Sequence, residues 1–196
     1  MALEGDREAY FCAAIAQAQR EHAADSSSTS ALLRWGNALL ELAHYRRGDE
    51  ALQTIHEAIA RLQDALELDP TLTEAHFTIG NALLSLGFLQ QTRGGAAQQF
   101  DRASLVFAGC VDKDPENDSF LRALEMSRRA VEYWEEIKQH QEQATQLGAR
   151  AGGGGDPLGL PDFVWDALGW GLLAAAIGGI VLLARSGGAA PPHARS

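Results

Sequence analysis

The chain has 196 residues, a formal net charge of −10 at pH 7, and 46% hydrophobic residues. That acidity excludes a nucleic-acid binder, which needs basic patches to meet phosphates. Cys12 and Cys110 lie far from any ligand-spaced Cys or His, which excludes a zinc site or a disulfide framework. Reduced, packed thiols fit a domain facing the cytosol.

Alternating β-branched runs are absent, and Ala, Leu, Glu, Gln and Arg dominate, so the fold class is all-α. The opening MALEGDREAY has neither the apolar core of a secretory signal nor the basic character of a transit peptide. An amphipathic helix is expected over residues 4–22, closed by ADSSSTS. Four helices follow, over 28–47, 49–68, 72–91 and 96–112, with Gly48 and Gly94-Gly95 punctuating two hairpin turns. Asp69-Pro70 and Asp114-Pro115 end the second helix of each hairpin, because proline disfavours helix at the residue before it. A long helix over 118–147 carries Phe120, Leu121, Leu124, Val131, Trp134 and Ile137 on one face. Its polar outer face suits the end of a stacked array.

The remainder differs in character. Residues 148–162 contain AGGGGDPLGLPD, a linker by composition. Residues 163–185 read FVWDALGWGLLAAAIGGIVLLAR, with no charge between 167 and 184. That reaches the ~17–25 apolar residues a membrane-crossing helix needs. Trp165 and Trp170 stand where interfacial anchors belong. The expectation is a tail anchor, with residues 186–196 beyond it and the bilayer as a partner. Residues 163–196 carry +1, so the acidic charge, −11, sits in the remaining chain.

The two hairpins are copies. GNALL occurs at 36–40 and again at 80–84, 44 positions on. Downstream, Ala58, Leu62, Ala65 and Pro70 recur with the same internal spacing as Ala103, Phe107, Cys110 and Pro115. Small residues at Gly36, Gly80, Ala58, Ala65 and Ala103 suit close approach of the first helix (A) to the second (B). This pattern resembles the tetratricopeptide repeat. The period here is 44 to 45 residues rather than about 34, so both helices are lengthened. Two repeats fall below the usual three, which makes the flanking helices part of the core.

The elongated repeats, closing helix, Gly-rich linker and C-terminal anchor together resemble the plant-type mitochondrial import receptor, the 20-kDa subunit of the outer-membrane TOM translocase. LLRWGNALLELAHY, DALELDP and EAHFTIGNA are the segments that carry the likeness. The resemblance implies a mitochondrial outer-membrane protein, single-pass, with a cytosolic receptor domain (1–147) and residues 186–196 in the intermembrane space. It implies that N-terminal presequences are bound and passed to pore subunits of the TOM complex, without a cofactor. In stacked repeats helix A lines a groove, and its inward positions here fall on Leu33, Asn37, Leu40 and Glu41, then Glu74, Phe77, Asn81, Leu84 and Ser85. Apolar positions would take the apolar face of a presequence helix, and Glu41 and Glu74 would meet its arginines. The blander reading makes the leucines and Phe77 core, and the asparagines backbone supports. Trp35 is expected to pack between helices A and B.

Rival readings have less behind them. Glu41 and His44 form one Glu-x-x-His, but di-iron bundles need two and further carboxylates. No nucleophile motif or phosphate-cradling glycine loop appears, so neither an enzyme nor a metal site is expected. Only Arg34 on helix A would serve a clamp for an acidic chaperone tail. A tail-anchored organelle-fission adaptor, recruiting a folded partner, is the alternative.

Overall fold

The computed structural model describes residues 2–150, in six α-helices: α1 (Ala2–Ala24), α2 (Thr29–Ala43), α3 (Gly48–Leu68), α4 (Thr73–Leu89), α5 (Arg93–Lys113) and α6 (Asp118–Arg150). No strand occurs among the described residues. The linker from residue 151, the anchor and the tail lie outside them, whereas Gly148, Ala149 and Arg150, expected to open the linker, belong to α6. None of the described helices is long and apolar enough to cross a membrane.

Residues 1–135 form one compact unit, and the rest of α6 belongs to a second. Within the first, α2 packs on α3 and α4 on α5, α1 lies on α2, and α3 joins the hairpins by packing on α4. Gly36 and Gly80 hold the close approaches: a Cβ at Gly36 would meet Leu62 Cγ at 2.6 Å, and one at Gly80 would meet Phe107 Cε1 at 2.5 Å. A third crossing, at Gly87 against Phe100, was not read from the sequence.

Short polar side chains set the helix ends. Ser28 caps α2 by accepting from Ala31 N, and Thr92 caps α5 by accepting from Gly95 N. Thr92 starts α5 ahead of Gly94-Gly95, so those glycines fall in its first turn instead of forming the hairpin bend. At the end of α3, Asp69 Oδ1 accepts from Thr71 N and Thr71 Oγ1, a side-chain turn that carries the chain past Pro70.

Helix α1 departs from the expected amphipathic pattern. Among its residues whose burial is described, 6–24, only Ala18 is fully buried, and Tyr10 and Cys12 face solvent. Charge holds it at both ends: Glu21 pairs with Arg34, and Glu8 with Arg46 at 2.9 Å.

The first half of α6 runs parallel to α4. Phe120 packs at a tilt against Phe77 near the start of α4, and Trp134 Nε1 donates to Gln90 O at its end, 3.2 Å away. Ser104 Oγ on α5 donates to Ser127 Oγ at 2.8 Å, and Arg93 pairs with Glu135. Helix α4, so enclosed, is buried at every residue from Thr78 to Gly87.

Candidate functional site

Helix α2 presents Leu33, Asn37 and Glu41 at intervals of four residues, so they share one face. All three are half-buried. The equivalent positions of the second hairpin, 44 residues on, are Phe77, Asn81 and Ser85 on α4, and α2 touches α4. We call these two corresponding rows the α2–α4 strip; each begins with its apolar residue, Leu33 or Phe77, and continues with its polar ones.

The structure divides the expected residues. Leu33, Asn37, Glu41 and Phe77 are partly exposed, and Glu74 is exposed in the first turn of α4. Leu84 is 0% exposed and Leu40 5%, so both are core and their side chains are not presented on the surface. They lie one position before Ser85 and Glu41, and a step of 100° about a helix turns them inward. Asn81 (8% exposed) forms the floor, and Ser85 Oγ, also buried, donates to Asn81 O at 3.0 Å. Phe77 also has a packing role, its ring lying 5.5 Å from Phe107 and 5.0 Å from Phe120.

Trp35 meets α3, where Arg61 lies over its ring at 5.0 Å, but also His22 of α1 at 6.2 Å. It is thus a three-helix junction rather than a two-helix one.

His44 is the residue of this face that sequence reasoning passed over as a site member. It follows Glu41 by three positions, and its Nδ1 lies 3.7 Å from Glu41 Oε2. The spacing looks like an ion pair, but burial opposes charge on either partner. It pushes the His44 imidazole down to about 4 and the Glu41 carboxyl above its ordinary range. At neutral pH His44 is uncharged and gives Glu41 no countercharge. No Lys or Arg among the described residues is paired with Glu41. Asn37 adds a second unmet demand, its buried Oδ1 having no hydrogen-bond donor.

An open surface depression of about 350 Å³ is lined by Arg46, Glu50, Gln53, Thr54 and Glu57 and includes none of the candidate residues. No group of three or more His, Cys, Asp or Glu among the described residues could hold a metal ion.

Comparison with known proteins agrees with the family resemblance carried by the sequence. Residues 5–185 match the family described as plant-specific mitochondrial import receptor subunit TOM20. Among relatives from Arabidopsis thaliana, mitochondrial import receptor subunit TOM20-3 is 35% identical over 158 residues, covering 74% of this chain and 75% of its own. TOM20-2 is 29% identical over 181 residues, with 86% of each chain covered. TOM20-4 is 40% identical over 101 residues, or 52% of this chain and 53% of its own. The chain belongs to the plant-specific TOM20 family of mitochondrial import receptor subunits.

Proposed function

We propose that this import receptor is a tail-anchored protein of the mitochondrial outer membrane whose cytosolic helices are tetratricopeptide-like repeats. It binds the amphipathic N-terminal presequences of precursor proteins on the α2–α4 strip and passes them to pore subunits of the TOM complex. The observation that carries this reading is the strip itself: a half-buried face with Leu33 and Phe77 at one end and an acid, Glu41, along it that pairs with no Lys or Arg among the described residues. An amphipathic helix is complementary to such a face, placing leucines against the apolar end and arginines along the polar stretch. Glu74, exposed nearby, adds to the attraction. Leu40, Asn81 and Leu84 shape the strip from beneath. Support for the anchor comes from the uncharged run 167–184 and from a family match that continues to residue 185.

Fluorescence anisotropy of a labelled presequence titrated with the full chain in mild detergent tests the reading. A control peptide keeps its arginines and loses its apolar face. The proposal expects binding to the first only, weakened by Leu33→Ser. Equal binding of both peptides would reduce the interaction to general acidic attraction and refute the strip.

A further inference from the structure

The two glutamates of the candidate strip stand in different surroundings, and the difference has a consequence for what each does. Glu74 is exposed, in the first turn of α4, where its charge is solvated. A cation beside it replaces water contacts it already has, so the pair gains little. Glu41 is half-buried, beside a neutral imidazole and one turn from an asparagine whose Oδ1 lacks a donor. Water has already been partly removed from this carboxylate, and no cation within the described residues makes up for it. A ligand cation arriving there recovers that loss, and a group with several N–H donors recovers more of it than a point charge.

We propose that Glu41 is the seat for one particular arginine side chain of the bound presequence, while Glu74 only steers. This rests on the receptor reading above and assigns the polar specificity of the strip to one carboxylate. The planar guanidinium offers a fork of N–H donors that meets both oxygens of a carboxylate, which a lysine ammonium cannot match. Leu33, one turn before Asn37, fixes the register: the seated arginine follows the apolar anchor of the peptide along α2. The preference for arginine over lysine is then local to one peptide position, and charge elsewhere on the peptide affects mainly the rate of encounter.

The test is a double-mutant cycle between protein and peptide. Each arginine of a labelled amphipathic presequence is replaced in turn by citrulline, which keeps the shape and removes the charge. Each peptide is titrated with the full wild-type chain, with Glu41→Gln and with Glu74→Gln, in mild detergent. Glu41→Gln is expected to weaken binding about tenfold, and to make one citrulline position nearly without further effect. Lysine at that position should cost nearly as much as citrulline. Glu74→Gln should change affinity by no more than about twofold and couple to no single position. Equal, position-independent effects of the two glutamates would overturn the proposal, as would a Glu41→Gln chain that binds like wild type. Thermal melts of both variants separate a lost seat from a lost fold, and the citrulline scan on wild-type protein stands even if Glu41→Gln unfolds. A peptide stripped of its apolar face that binds as tightly as the intact one refutes the receptor reading, a different result from loss of coupling at Glu41.

Discussion

A Cβ placed on Gly87 would lie 2.2 Å from Phe100 Cε1 and 2.5 Å from its Cδ1, and Phe100 is itself wedged against Phe88, with ring centroids 4.9 Å apart. Gly87→Ala is therefore expected to destabilise the fold by about 1–3 kcal/mol, the usual cost of overpacking a filled core. The first hairpin has Ala43 and Ile55 at the equivalent positions, both buried. Copying that pair, with Gly87→Ala and Phe100→Ile together, should recover most of the loss, as read from urea midpoints at constant slope. His44 gives a second prediction at this scale. Its folded value of about 4 lies below the ordinary ~6.5, so the unfolded chain takes up its proton first as pH falls. Stability then declines between about pH 6.5 and 4, by about 3 kcal/mol from this group alone. Glu41, raised by burial, acts in the opposite sense. His44→Gln should flatten the acid limb of stability against pH, and Glu41→Gln should steepen it. Parallel limbs in all three proteins would contradict both assignments.

Among the elements, α6 depends on a few contacts with α4 and α5. Trp134 fills the end of the α4 seam and donates to Gln90 O, the cap of α4. Trp134→Phe removes that hydrogen bond and should cost about 1 kcal/mol, whereas Trp134→Ala should cost about 3–5 kcal/mol. Thermal melts followed by circular dichroism would check the order. The six helices were legible in the sequence because proline, glycine and capping residues punctuate it and because the hairpins repeat. Their boundaries shifted where a cap outranked a glycine, as Thr92 did ahead of Gly94-Gly95. What was less legible was direction. The period places Leu40 beside Glu41 and Leu84 beside Ser85, and only tertiary packing decides that Leu40 is turned inward and Glu41 half out, whereas Leu84 and Ser85 are both buried. The weak amphipathicity of α1 was equally hidden, because its hold on α2 comes from Glu8 and Glu21 as much as from apolar burial. His44 was visible only as half of a metal-binding motif. Its burial beside Glu41 depends on tertiary contacts that spacing does not report.

For the molecule as a whole, the proposed function gives recognition to the acidic helical region and attachment to the uncharged run near the C-terminus. The anchor reading predicts that the full chain stays with mitochondrial membranes after alkaline carbonate extraction, while a chain lacking residues 163–185 is released. Extraction of the full chain would refute a spanning tail. The central claim, that presequences are received on the α2–α4 strip, is most directly tested by photocrosslinking. A benzophenone side chain is placed at position 37 of the full chain and, in a separate protein, at position 105. Leu105 is a suitable control because it is 75% exposed on α5, away from the strip. The account predicts crosslinking of a presequence peptide from position 37, competed by unlabelled peptide, and little from position 105. Equal crosslinking from both positions, or crosslinking from position 105 alone, would contradict it.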